Sequence, residues 1–261
     1  MVSVRRWFGT LRALALPVLG STVLSVAGLA LVRDRVPIAV LRSSNNEVGN
    51  YLQTVGTIYA VLLAFVVVVV WNQFNETRAL VDREANELFD LYRTARGFPA
   101  DTSEPIVRGL RAYVDDVIQR EWAGMARGND SLIEEVGRHL DVVWAQILRL
   151  EPQSESHCAL YSEMLSRFND LSDCRTGRLS ASRMRAPLAL RILLYTGAFI
   201  IVASMYLLAI DLFLIHALCT GALAGAVSHV LYIIMDLDNP FHGDWQIPAA
   251  SFERVRRYMQ P

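Results

Sequence analysis

The carboxylates best placed for metal chemistry follow the last apolar segment of the chain. They are Asp236, Asp238 and Asp244. Calcium binds about 6–8 oxygen atoms, so three carboxylates would be a sparse ligand set. The alternative is a structural turn formed by Asn239, Pro240, Phe241 and Gly243. Because the residue before a proline avoids the helical conformation, the helix must end here, and we expect the turn rather than a cation site.

No other set of residues forms a convincing catalytic site. His139 is isolated, and His157 and Cys158 are neighbours whose side chains would diverge on a helix. The sequence has no phosphate-binding loop, and its three cysteines lack the CxxC spacing of redox or zinc sites. A net charge of −1 gives no indication of nucleic-acid binding. We therefore expect no enzyme activity, no cofactor and no nucleic-acid partner.

The polar residues named above lie between or after long apolar segments of the chain. The chain has 261 residues, of which 53% are hydrophobic, and a mean hydropathy of +0.29. Four segments match the length needed to cross a hydrocarbon core of about 30 Å. They are residues 14–32, 55–71, 188–210 and 212–235. The sequence therefore predicts an all-α polytopic membrane protein whose last two spans form an antiparallel hairpin.

The first apolar segment has a second interpretation. Ser25 and Ala27 resemble the small residues of a signal-peptide cleavage site. However, the apolar stretch is longer than the usual signal-peptide core of about 7–15 residues. An uncleaved first span is the favoured interpretation.

A helical bundle is predicted between the second and third spans. No helix breaker occurs from the second span to about Arg96, so one long helix should leave the membrane there. Its apolar stripe contains Phe74, Val81, Leu88 and Leu91. Glu84 and Glu87 are expected to face solvent. Three amphipathic helices follow, beginning near Thr102 or Ser103, at Asp130 or Ser131, and at Glu155.

The predicted organisation has five segments. They are the first span with its connector (1–54), the second span (55–72), the helical bundle (73–186), the span hairpin (187–236) and a tail (237–261). Arginine clusters at 175–191 and 254–257 would flank the same side of the membrane, which predicts a cytoplasmic bundle and cytoplasmic termini. Arg33, Arg35 and Arg42 in the outer connector oppose this orientation.

The second span offers a hypothesis for ion conduction. Tyr59, Leu63, Val66 and Val70 share one face of the helix. An apolar ring of this kind could form a neck that gates by dewetting. Alternatively, the stripe packs on other helices or faces lipid, because every face of this span is apolar.

Two glycines of the fourth span have the spacing of a close helix contact. Gly221 and Gly225 follow the small-xxx-small pattern that lets helix backbones approach. Gly197 and Ser204 in the third span are the expected partners within the hairpin. An oligomer contact is the alternative.

The chain also resembles a known family over residues 49–253. The pattern comprises Gly56, Tyr59-Ala60, Leu62-Leu63-Ala64-Phe65, Trp71, Glu84-Ala85, Tyr92-Arg93, Glu121-Trp122 and Asp236-x-Asp238-Asn239-Pro240-Phe241-x-Gly243. It is similar to a bacterial family of four-span membrane proteins called bestrophin-like, which has largely unassigned functions and is distantly related to the bestrophins.

That resemblance implies a function. Bestrophins are pentameric anion channels whose second span lines the pore. The chain departs from them where His242 precedes Gly243 and where Trp245 replaces the acidic run of the calcium clasp. The expectation is therefore an oligomeric anion channel of the bacterial inner membrane, and the missing acidic run argues against calcium gating. The alternative is a non-conducting membrane scaffold whose helical bundle binds partner proteins.

Overall fold

The computed structural model describes residues 4–260, and the side chains from residue 14 onward. Within this part of the chain there are helices and no strands. The helices are α1 (Val4–Arg35), α2 (Ile38–Arg42), α3 (Asn45–Ala95), α4 (Ala100–Asp116), a π-helical segment (Val117–Glu121), α5 (Trp122–Arg127), α6 (Asp130–Ile147), α7 (Glu155–Arg183), α8 (Leu188–Met205), α9 (Phe213–Leu237) and α10 (Ala250–Met259). The all-α prediction is confirmed.

The chain folds as two compact units. The first unit contains Met1–Asn72 and Arg185–Asp238, and the second contains Gln73–Met184 and Asn239–Pro261. Four helices are long and apolar enough to span a membrane: Leu14–Arg35, Asn45–Ala95, Leu188–Met205 and Phe213–Leu237. The four predicted spans are therefore present.

The first unit is built on close packing between α1 and α9. Gly221 and Gly225 face α1, because a Cβ atom on either glycine would meet the Thr22 side chain at 3.1 and 3.0 Å. Thr22 Oγ1 also donates to the Gly221 carbonyl (3.2 Å). The prediction that α8 packs against these two glycines is therefore wrong. Gly197 of α8 lies against the Tyr59 ring of α3 instead.

Polar contacts anchor the loop between α8 and α9. The Arg33 guanidinium donates to the carbonyls of Ile210 and Asp211, and Arg42 pairs with the Asp211 carboxylate. The Asn45 side-chain oxygen accepts from the Ala209 amide (2.8 Å). Two of the three arginines that opposed the predicted orientation therefore bind this loop.

The second unit contains the remaining part of α3, together with α4 to α7 and α10. The predicted long helix is confirmed, since α3 runs without a break to Ala95. α7 occupies the predicted residues 155–183. α4 begins at Ala100, earlier than expected, and the cap of α6 is Asn129, whose side chain accepts from the Leu132 amide.

Candidate functional site

The predicted neck residues lie on the buried face of α3. Tyr59, Leu63, Val66 and Val70 have only 5, 9, 5 and 2% of their surface exposed. The Tyr59 hydroxyl donates to the Leu194 carbonyl (2.8 Å), and its ring occupies the space left by Gly197. These side chains do share one face, but that face packs inside the protomer. We therefore do not expect this stripe to line a pore between several copies of the protein.

The opposite face of α3 is exposed, and its side chains change from polar to apolar along the helix. Its first turns carry Asn50, Gln53, Thr54 and Thr57, which are all exposed. Further along, Val61, Phe65 and Val68 are 52, 69 and 56% exposed. Positions 50, 54, 57, 61, 65 and 68 follow a helical repeat of three and four residues, so they form one stripe.

Two hydrogen bonds fix the depth of this stripe in the first unit. Asn45 binds the Ala209 amide, and Tyr59 binds the Leu194 carbonyl. The segment of α3 between these contacts, about 21 Å long at 1.5 Å per residue, therefore runs antiparallel to α8 and its following loop. The exposed amides of Asn50 and Gln53 lie at the depth of the apolar helix α8. Polar groups at membrane depth are costly unless they meet water or protein.

A buried charge cluster lies in the core of the second unit. Arg178 is fully buried and binds Glu84 through two bonds, from Nε to Oε2 (2.6 Å) and from Nη2 to Oε1 (2.9 Å). Its Nη2 also donates to Glu121 Oε2 (2.9 Å). Arg175 donates to the other Glu121 oxygen (2.5 Å). Two arginines therefore balance two carboxylates that have no exposed surface.

Tyr113 and two aromatic rings complete this cluster. The Tyr113 hydroxyl donates to Glu84 Oε1 (2.6 Å). Burial, with the Glu84 charge adding to it, raises the pKa of Tyr113 well above its usual value. Burial alone would lower the pKa of Arg178, but the Glu84 and Glu121 carboxylates raise it well above its usual range. The Arg178 guanidinium also lies over the Trp122 and Phe252 rings, at 5.4 and 5.6 Å.

Two of these residues lie elsewhere than their sequence pattern predicts. Glu84 was expected to face solvent, yet it lies three residues after Val81 and four before Leu88, on the buried stripe of α3. Arg178 was counted with the arginines at a membrane boundary, whereas it is fully buried in the bundle. Two glutamates of the family pattern, Glu84 and Glu121, meet at this one arginine. The sequence signal for this cluster was the presence of both glutamates in the family pattern.

A π-helical segment sets the geometry at Glu121. Residues Val117–Glu121 widen the helix that joins α4 to α5. Such segments occur mostly as single turns, frequently at functional sites. Directly after it, the Trp122 indole donates to the Ile247 carbonyl (3.0 Å). Glu121 and Trp122, which follow each other at the end of this segment, both contact the Arg178 guanidinium.

Asn239, Pro240, Phe241 and Gly243 form a turn directly after α9. Within the second unit, the His242 amide donates to the Asn239 carbonyl (3.1 Å), and the Ile247 amide donates to the Pro240 carbonyl (2.8 Å). Gly243 has a positive φ of 98°, which favours glycine. Phe241 is buried and packs edge-on against Trp122, at 5.4 Å.

Asp238 is occupied by protein contacts within the first unit. Its carboxylate accepts from the Ala186 amide (2.7 Å) and from Arg191 (3.0 Å). Among the described residues, no group of three or more histidine, cysteine or acidic side chains could hold a metal ion. The Asp238 carboxylate is therefore already bound by two protein donors.

Comparison with known proteins identifies the family. The family model described as a bestrophin-like domain matches residues 19–252. A bacterial bestrophin homologue from Klebsiella pneumoniae, solved by zinc phasing, has 16% identity and a TM-score of 0.72, and covers 92% of this chain and 96% of that chain. A point variant of the same homologue also has 16% identity and a TM-score of 0.72, with 93% and 98% covered. No curated protein matches. Because the family model spans most of the sequence, this chain belongs to the bestrophin-like family.

Proposed function

We propose that several copies of this protein form an ion channel in the bacterial inner membrane, lined by the exposed stripe of α3. One observation carries the proposal: the amides of Asn50 and Gln53 are exposed at the depth of the apolar helix α8. A water-filled pore shared between copies would hydrate them at no cost. A pentamer, as in the bestrophins, is the proposed assembly.

The order of residues along the stripe suits a pore. Asn50, Thr54 and Thr57 would form a polar vestibule, followed by an apolar constriction at Val61, Phe65 and Val68. The constriction extends over about 10 Å of helix. Rings of apolar side chains gate by dewetting and need no charge.

Anions are the proposed permeant ions. Between Asn50 and Val68 the stripe carries no carboxylate, and the side-chain amides of Asn50 and Gln53 can donate hydrogen bonds to an anion. Selectivity would come from pore diameter and these donors rather than from a charged filter.

Planar-bilayer recording of the purified protein, with its oligomeric mass measured in detergent, tests the proposal. Val61→Ser should raise the conductance about tenfold or more, because a hydroxyl favours wetting of the constriction. Val23→Ser, at an exposed position of α1 outside the stripe, is the matched control and should leave the conductance unchanged. The reversal potential in a chloride gradient reports selectivity.

Other outcomes would redirect the proposal. An oligomer that conducts cations would preserve the pore but contradict the proposed anion selectivity. A monomer or dimer that remains silent would contradict the channel itself. That result would leave the scaffold function, with the helical bundle as the place to seek a partner protein.

A further inference from the structure

A small cavity of about 90 Å³ lies between α4 and the end of α10, within the second unit. Two of the side chains that line it are apolar and buried, Val114 and Met259. The other four are polar: Arg111 and Asp115 from α4, and Arg256 and Gln260 from the end of the chain. Two arginines from two different helices therefore line one cavity.

Arg111 carries hydrogen-bond donors that the described residues do not use. Its Nε is buried without an acceptor among them. Asp115 lies one turn further along α4, within reach of an arginine four residues earlier. The Asp115 carboxylate nevertheless lies beside Arg256, at 3.8 Å from its Nη1.

The guanidinium of Arg111 is therefore available to a ligand. It forms no ion pair or hydrogen bond with the described residues, so it can turn towards the cavity without breaking one. A buried N–H that lacks an acceptor costs free energy, and an acceptor in the cavity would remove that cost.

The charges of the lining favour an anion. Two arginines face one carboxylate, which leaves one positive charge unbalanced. The contact between Asp115 and Arg256, at 3.8 Å, lies beyond the usual hydrogen-bond range of about 2.7–3.2 Å. Arg256 therefore keeps donors of its own, and the side-chain amide of Gln260 adds a neutral donor.

The size of the cavity limits the anion. A water molecule occupies about 30 Å³ in the liquid, so the cavity has room for about three. Sites for drug-sized ligands measure about 300–1,000 Å³. A small oxyanion therefore fits, whereas a nucleotide does not. Among such ions, phosphate matches the planar fork of arginine, which binds two of its oxygens at once.

We propose that this cavity binds one phosphate ion, held by the guanidinium groups of Arg111 and Arg256 and by the amide of Gln260. The ion would join α10 to α4 through charge-assisted hydrogen bonds. The site is built from residues outside the exposed stripe of α3 and does not depend on ion conduction.

Thermal unfolding of the purified protein in detergent tests the proposal, with inorganic phosphate exchanged for chloride at constant ionic strength. A ligand that binds only the folded protein raises the melting temperature in a saturable way. Phosphate also stabilises proteins in general, because it is excluded from their surface, so the difference between variants is the informative measure.

Arg111→Met should shift the phosphate dependence to about tenfold higher concentrations, because the fork is lost. Arg108→Met is the matched control: Arg108 is an exposed arginine of the same helix that does not line the cavity, and this variant should respond as the wild type does. Circular dichroism verifies the helical content of both variants. Arg256→Gln, which changes the α10 side of the cavity, provides the second test should Arg111→Met unfold.

Isothermal titration calorimetry with inorganic phosphate measures the affinity directly. Arg111→Lys keeps the charge without the planar fork, so it should bind phosphate more weakly than the wild type. Equal phosphate responses in folded Arg111→Met and in Arg108→Met would overturn the proposal. Stabilisation by phosphatidic acid in the detergent, but not by free phosphate, would also overturn it, because the ligand would then be a lipid headgroup.

Discussion

At the residue scale, the protein depends on one buried arginine. Arg178 binds two carboxylates and lies over two aromatic rings, without any exposed surface. Buried ion pairs add little stability relative to an apolar core, but removing one partner leaves an uncompensated charge. The cluster therefore makes the fold sensitive to a single substitution.

Arg178→Met tests this dependence. The substitution leaves Glu84 and Glu121 buried without their shared cation, so the free energy of unfolding should fall by about 3–5 kcal/mol. Thermal unfolding in detergent, followed by circular dichroism, measures the loss. Arg183→Met is the matched control, because Arg183 is 58% exposed in its pair with Asp130 and should cost at most about 1 kcal/mol. Equal losses in the two variants would contradict a special role for Arg178.

Tyr113 should make stability depend on pH in the alkaline range. Its folded-state pKa is raised above the ordinary value of 10.0, so the folded protein keeps a proton that the unfolded chain releases. This contribution is complete below pH 10 and is lost as the pH rises above 10. Melting temperatures between pH 8 and pH 11 should therefore fall less steeply for Tyr113→Phe than for the wild type. Tyr258→Phe, at a 66% exposed residue, should retain the wild-type slope.

At the element scale, α1 and α9 approach closely because glycine and hydroxyl side chains line their contact. The Thr22 hydroxyl of α1 donates to the Gly221 carbonyl of α9, and the Ser228 hydroxyl of α9 donates to the Pro17 carbonyl of α1. Without a hydrophobic driving force between helices in lipid, such close packing and hydrogen bonding hold spans together.

Gly225→Val should disturb this contact. A Cβ atom at position 225 would lie 3.0 Å from Thr22 Oγ1 and 3.5 Å from Val18 Cγ1, so the branched side chain has no room. Overpacking of this kind costs about 1–3 kcal/mol. The melting temperature in detergent should fall accordingly. Ala226→Val, one residue further on the exposed side of α9, should have little effect, and a similar fall there would point to a loss of helix propensity instead.

The helices were largely predictable from the sequence, but the side of each helix that is buried was not. Hydrophobic length located the spans, and α3 ends at Ala95, just before Gly97 and Pro99, the first helix breakers after the second span. The facing of the second span was not predictable, because all of its sides are apolar near Val66. Its orientation depends on a tertiary contact, the packing of Tyr59 against Gly197.

The buried charges were missed for a related reason. A glutamate on an amphipathic helix is normally solvated, so periodicity alone assigns Glu84 to the surface. Only the ion pair with Arg178, which is distant in sequence, offsets the free-energy cost of burying the Glu84 carboxylate. The partner of Gly221 was likewise hidden, since spacing shows that a helix can approach but not which one.

At the scale of the whole molecule, we propose an orientation across the membrane from the arginine distribution. Arg33 and Arg42, which opposed the predicted orientation, bind the loop between α8 and α9. In the proposed orientation, these contacts hold Arg33 and Arg42 on the outer side. We expect the bundle and both termini to be cytoplasmic.

Native cysteines allow a direct test of orientation. Cys158 is exposed in the second unit, whereas Cys174 is buried. A membrane-impermeant maleimide should therefore leave Cys158 unmodified in intact spheroplasts and label it after lysis. Cys158→Ser identifies the labelled site. Labelling of Cys158 before lysis would place the bundle outside the cell.

The anchored loop also determines where foreign sequence can be accommodated. The connection between α8 and α9 is tied down through Ala209, Ile210 and Asp211, so an epitope tag placed there would have to break bonds to three other segments. The turn at Gly128 has no neighbouring atom within 4 Å of a would-be Cβ. Engineering of this protein should therefore leave its shortest membrane loop intact and use the turn before α6.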